Sequence, residues 1–144
     1  MKISLKRLDD AFQFEASGED GHSIIMDGSP AIGGQGMGVR PMQTLLMGLG
    51  GCSAIDVVSI LKKQRQQITD FRIEVDGERE PNKEPSLWKD VHVRFMLEGD
   101  IDPDKAMRAV QLSMDKYCSV AKTLEKTANI TYSVYVNDTE SVPS

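Results

Sequence analysis

Two cysteines, Cys52 and Cys118, are the residues of this chain best suited to chemistry. A thiol reacts as its thiolate, so its surroundings decide whether it is a reagent or a small apolar filler. Cys52 follows a glycine-rich run inside an apolar helical pattern, MQTLLMGLGGCSAIDVVSIL. Cys118 sits at a Tyr-Cys-Ser junction between two helical patterns, KAMRAVQLSMDKYCSVAKTLEKT. Brought together by the fold, the two would form a redox pair that cycles between dithiol and disulfide. Kept apart, they read as two buried apolar cysteines, since free Cys is among the most buried residue types.

Local physics favours Cys118 as the more acidic thiol. It immediately precedes a helix that Ser119 would cap, where the positive end of the helix dipole favours a thiolate. Cys52 lies about 11 residues into its helix, roughly 16 Å from the N-terminus at 1.5 Å per residue, beyond the dipole's reach. Asp56, four residues on, shares its face and would disfavour a thiolate. A reactive Cys52 therefore needs a cation from elsewhere. Arg40, just before the helix, could serve only if the chain or a partner subunit folds back; Arg7, Arg72 and Arg94 are other sources.

Other chemistries fit less well. His22 and His92 could join the two cysteines in a zinc tetrahedron, but none of the four is spaced as a CxxC or HxxxH pair, and no metal site is expected. No Ser-His-Asp signature is visible. Seven of the 12 glycines lie between Gly33 and Gly51. The first group, GGQGMG, lacks both the dinucleotide spacing and the Gly-Lys-Ser/Thr of a P-loop, so it reads as a mobile loop before a helix. Gly48, Gly50 and Gly51 lie within the helix pattern, where each costs about 1 kcal/mol relative to Ala. That cost suggests a tight helix crossing beside the thiol, on the face shared by Gly48 and Gly51, between subunits.

The elements that must position the thiols are short strands, helices and more strands. Ile3–Lys6, Ala11–Glu15 and Ser23–Met26 read as strands separated by Asp-Asp and Gly-Glu-Asp-Gly turns. Pro41 suits the first turn of a helix, which runs to about Gln67, is apolar on most sides in its first half and polar after Leu61. Phe71–Val75 and Val91–Leu97 alternate as strands, joined by a charged, proline-bearing loop over 76–90. Asp102-Pro103 opens a second helix, with Asp as cap, that runs to about Tyr117. A short helix begins near Ser119, and Ile130–Val136 is the last strand. Residues 1–137 read as one domain, followed by a disordered tail over 138–144.

A chain of 144 residues can bury a real core. Its 40% hydrophobic and 27% charged content is ordinary for a globular protein. The net charge of −5 and the lack of a Lys/Arg cluster argue against a nucleic-acid partner. No apolar run approaches the roughly 18 residues that span a bilayer, and the N-terminus has no signal-peptide core. The expected setting is the cytoplasm with no membrane partner, where two cysteines read as reactive or inert thiols rather than a permanent disulfide.

At this point the residues resemble the OsmC/Ohr family of cysteine-based hydroperoxide peroxidases. Arg40-Pro41 leads into a helix carrying Leu49-Gly50-Gly51-Cys52 and Ser-Ala-Ile-Asp-Val-Val. A strand enters Gly-Glu-Arg-Glu and a proline-bearing loop, another carries Phe-Met-Leu-Glu-Gly, and Tyr117-Cys118-Ser119-Val120 precedes the final helix and strand. The resemblance implies an α+β fold in which antiparallel sheets wrap two long central helices in an intertwined homodimer. It implies that Cys52 is peroxidatic and Cys118 resolving, an order opposite to the local acidity argument. Cys52 would reduce an organic hydroperoxide to an alcohol and become a sulfenic acid. Cys118 would close a disulfide, and an external dithiol, with no bound cofactor, would reopen it. Arg40 is a possible activator of the thiolate, and Leu45, Leu49 and Met42 would line an apolar substrate pocket. The family's peroxidases carry a glutamate near the start of the first long helix; here the stretch reads Met42-Gln43. A non-catalytic binder of a small apolar molecule, or a redox sensor, are the alternatives on the same fold.

Overall fold

The computed structural model describes residues 1–143 and has two compact units, one of residues Met1–Leu45 and one from Leu46 onward. In the first, β1 (Ile3–Arg7), β2 (Phe14–Gly18) and β3 (Ser23–Met26) form an antiparallel sheet in the order β1-β2-β3. The β1–β2 turn is held by Asp9, whose Oδ1 accepts from the N–H groups of Ala11 and Gln13 at 3.0 Å. That turn occupies the residues where the sequence suggested the start of the second strand. The glycine loop that follows β3 is pinned rather than loose. The Asp27 carboxylate is buried and accepts from Gly28 N–H at 2.7 Å and Met37 N–H at 3.1 Å. A Cβ at Gly34 would stand 2.1 Å from Gly28 O, so no larger residue fits that crossing.

Helix α1 (Pro41–Lys63) begins at the proline expected to start it. Gln43 Oε1 accepts from Arg40 N–H at 3.0 Å, half of a capping box across the first turn. In the second unit, Leu49, Ser53, Val57 and Leu61 form one fully buried stripe of α1. Ser53 belongs there because its Oγ donates to Leu49 O at 2.8 Å, which satisfies the hydroxyl within the helix. α1 ends at Lys63 instead of running on to Gln67, where β4 begins. By length and composition alone α1 is also apolar enough to cross a membrane. The sequence reading missed this because Ser53, Asp56 and Ser59 interrupt the apolar run.

β4 (Gln67–Arg79) and β5 (Trp88–Asp100) are each 13 residues, far longer than the alternation around Phe71 and Val91 suggested. Pairing runs from Gln67↔Asp100 to Arg79↔Trp88, so only residues 80–87 form the loop. The second sheet has the order β4-β5-β6-β7, with β6 at Asn129–Val136 and β7 at Thr139–Ser141. Two expectations fail here. β5 and β6 pair in parallel, Phe95 opposite Val134, so this sheet is mixed rather than antiparallel. The segment read as a disordered tail carries β7, turned back on β6 by Asn137 and Asp138 at φ of 49° and 65°, the conformation of a tight hairpin.

A parallel pair needs a crossover, and the crossover carries the second cysteine. It consists of α2 (Pro103–Leu112), a π-helical turn (Ser113–Tyr117) and α3 (Ser119–Leu124). Asp102 caps α2 by accepting from Asp104 N–H at 2.9 Å, and Pro103 occupies its first turn, as expected. The core lies between this crossover, the α1 stripe and β5, with Phe95, Leu97, Val93 and Val110 wholly buried. Phe95 stacks on Phe71 of β4 at 6.4 Å between ring centroids.

Candidate dithiol site

The fold brings the two cysteines together. The sulfurs of Cys52 and Cys118 and a carboxylate oxygen of Asp56 all lie within 4.8 Å of one another. Cys52 and Asp56 come from successive turns of α1, one residue along from the buried stripe, so they sit at the edge of the core and are each half-buried. Cys118 is fully buried. Both thiols are free.

The π-helical turn sets the other half of the site. Its extra residue is spanned by a hydrogen bond from Cys118 N–H to Ser113 O at 2.7 Å, five residues back, where an α-helix would span four. The same turn therefore fixes two side chains at once. Ser113 Oγ, buried, donates to Asp56 Oδ2 at 2.8 Å, and Cys118 faces Cys52. Cys118, not Ser119, caps α3: its Sγ accepts from Ala121 N–H at 3.4 Å.

That cap does not make Cys118 acidic. Burial pushes its thiol from an ordinary 9.0 up to about 11, with the neighbouring Cys52 thiol pushing the same way and the Ala121 N–H opposing both. The expectation drawn from the helix end is thus overturned. A fully buried sulfur loses more solvation as a thiolate than the backbone N–H groups of Ala121 and Val120 return. Exposure also separates the pair, because Cys52 is half-buried and Cys118 fully buried.

The remaining sequence candidates divide. Arg40 lies in the N-terminal unit, its N–H held by Gln43. Gln43 thus serves as a helix cap at the start of α1. The other arginines are engaged: Arg7 donates to Ala11 O at 2.9 Å, Arg72 lies 3.7 Å from Asp70, and Arg94 lies 3.7 Å from Glu74 and over the Tyr135 ring. Leu49 is not a pocket residue; it is wholly inside the core. Met42 is half-buried and Leu45 exposed, both or their neighbours at the start of α1. The cavity that opens beside the site measures about 620 Å³ and is lined by Asp56, Ser59, Ile60, Lys63, Gln64, Leu112 and Tyr117. His92 is spent elsewhere, its ring nitrogens 2.7 Å from Thr131 Oγ1 and 3.0 Å from Ser133 Oγ. Sequence reasoning missed Ser113 altogether and met Asp56 only as an unfavourable charge. The four-residue spacing from Cys52 to Asp56 was visible. The π turn that aims Ser113 was not.

Gly50, not Gly51, is where another element packs closely within the chain: a Cβ there would lie 3.3 Å from Val75 Cγ2 of β4. A Cβ at Gly51 would meet nothing within 4 Å.

Residues 34–133 match the family model for OsmC-like protein. Protein YhfA of Escherichia coli K12 is 43% identical over 124 residues, 85% of this chain and 89% of that protein. Among solved structures, a hypothetical protein from Aquifex aeolicus VF5 is 29% identical with a TM-score of 0.78, covering 94% of this chain and 96% of that one. An organic hydroperoxide resistance protein OsmC from Legionella pneumophila has the same fold at 15% identity, with a TM-score of 0.71 over 94% of this chain and 98% of that one.

Proposed function

This chain belongs to the OsmC-like protein family, and from that premise we propose that it is a cytoplasmic, homodimeric thiol peroxidase for organic hydroperoxides. The observation that carries this reading is the pairing of a half-buried Cys52 with a fully buried Cys118 inside one 4.8 Å cluster. Cys52 sulfur attacks the outer peroxide oxygen, the O–O bond breaks, and the alcohol leaves with the thiol proton while Cys52 becomes a sulfenic acid. Cys118 sulfur then displaces that oxygen as water and closes a disulfide. An external dithiol, oxidised in turn, restores both thiols. No cofactor takes part.

Burial supports the order of attack. The less buried thiol meets the substrate first, and the fully buried one, pushed up by its surroundings, acts second. The cavity beside Asp56, with Ile60, Leu112 and Tyr117 on its wall, supports an entry for a substrate with an apolar body. Exposed apolar side chains, among them Ile3, Leu5, Ile24 and Ile55 at 46–72% exposure, support a homodimer, since such surfaces are commonly covered by a partner. The test is turnover. With dithiothreitol in excess, the protein should consume cumene hydroperoxide catalytically, and Cys52→Ser should abolish this. A parent protein that consumes none would refute the reading.

A second reading, a non-catalytic binder of a small apolar molecule, is favoured by one feature. Met42-Gln43 supplies no carboxylate to orient an activating arginine. Ligand retained through purification and unaffected by Cys52→Ser would favour it over the first.

A further inference from the structure

The peroxidase reading leaves one group unexplained. Asp56 puts a carboxylate against two sulfurs that must lose protons, in a position where a charge alone would oppose the chemistry. The fold nonetheless holds it there deliberately. Asp56 lies one helical turn beyond Cys52, and Ser113, buried at the start of the π-helical turn, fixes one of its oxygens at 2.8 Å. The other end of that turn delivers Cys118, so the donor that holds the carboxylate and the thiol beside it are tied by one backbone hydrogen bond. The titratable groups around Asp56 are the two thiols, within 4.8 Å, and Lys63 and Tyr117 on the wall of the cavity that Asp56 shares.

We propose that Asp56 is the proton shuttle of the dithiol site, carrying the Cys118 proton to the oxygen that leaves Cys52 as the disulfide closes. The inference rests on the peroxidase reading and names the residue that makes its second step work. In that step the Cys118 S–H proton passes to a carboxylate oxygen of Asp56 as the Cys118 sulfur attacks. The S–S bond forms and the Cys52 S–O bond breaks. The departing oxygen keeps the sulfenic proton and takes the second proton from Asp56, leaving as water. The carboxylate is regenerated, and no oxidant beyond the hydroperoxide is needed. The need is greatest at Cys118, which is fully buried and whose thiol burial pushes further from ionisation. Ser113 is a positioning residue, acting through Asp56.

The experiment follows the two halves of the reaction separately. Reduced protein is mixed with one equivalent of cumene hydroperoxide; dimedone traps the Cys52 sulfenic acid and mass spectrometry counts the disulfide. General acid–base groups contribute roughly 10²–10⁴-fold, so Asp56→Asn should slow disulfide closure at least tenfold while sulfenic acid accumulates. Ser113→Ala should slow it severalfold. In Asp56→Ala, the open cavity should admit formate, and formate should restore closure in proportion to its concentration. Only a folded site with a missing base can be rescued in this way. Closure by Asp56→Asn at the parent rate, or Asp56→Ala indifferent to formate, overturns the proposal while leaving the peroxidase reading intact. A parent protein that forms neither sulfenic acid nor disulfide overturns both.

Discussion

The raised Cys118 thiol makes a stability prediction that needs no substrate. Burial moves it from 9.0 to about 11, so the folded protein holds this proton more tightly than the unfolded chain does. The sign follows from linkage. Between the two values the unfolded state binds fewer protons, so stability falls as pH rises. The contribution is fully present below pH 9 and lost as pH passes through about 11. At about 1.4 kcal/mol per tenfold, the full loss is about 3 kcal/mol, most of which, about 2 kcal/mol, should appear by roughly pH 10.5. Tyrosines and lysines titrate in the same range, so the comparison is with Cys118→Ser, which keeps a cap for α3 but does not titrate there. Urea unfolding in a phosphine reductant, at intervals between pH 8 and 10.5, measures both proteins. The stability difference between parent and variant should shift by about 2 kcal/mol in favour of the variant. A difference that stays constant with pH would refute the argument that desolvation dominates this thiol.

Other outcomes follow from packing. Phe95→Ala removes a wholly buried ring that stacks on Phe71 and should cost about 3–5 kcal/mol by chemical denaturation. Gly50→Val should cost about 1–3 kcal/mol despite its better helix propensity, because its Cβ would start 3.3 Å from Val75 Cγ2; no loss would mean β4 yields there. Gly51→Leu has open space within the chain and should leave the fold intact while converting a dimer to a monomer by light scattering. An unchanged dimer would remove Gly51 from the subunit contact.

The starts of α1 and α2 were legible because local chemistry decides them; their ends were not, since α1 stops at Lys63 and α2 gives way to the π-helical turn after Leu112. Pro41 and Asp102-Pro103 start the two helices through φ restriction and side-chain capping, neither of which needs the rest of the fold. The central strands were half legible. The period-two pattern continues outward through Asp76, Glu78 and Lys89, and their charge obscured it because these positions are exposed on a long hairpin. The parallel pairing of β5 and β6 depends on where a crossover lands, which no local pattern reports. β7 is three residues long and exists only because β6 offers it an edge.

At the site, the pairing of Cys52 with Cys118 followed from family resemblance alone, since 65 residues separate them. The acidity of Cys118 was read wrongly because a helix end is visible in sequence and depth of burial is not. The role of Ser113 was hidden by one extra residue in a helical turn. KAMRAVQLSMDKYC reads as a continuous α-helix, and in that register Ser113 would not be tied to Cys118 by the hydrogen bond that aims both side chains.

The most direct test of the central claim is mass spectrometry of reduced protein after brief exposure to stoichiometric cumene hydroperoxide, beside Cys52→Ser and Cys118→Ser. The account predicts a rapid Cys52–Cys118 disulfide in the parent, sulfenic or further oxidation confined to Cys52 in Cys118→Ser, and an unmodified Cys118 in Cys52→Ser. Two thiols left untouched in the parent, or oxidation that begins at Cys118, would contradict it.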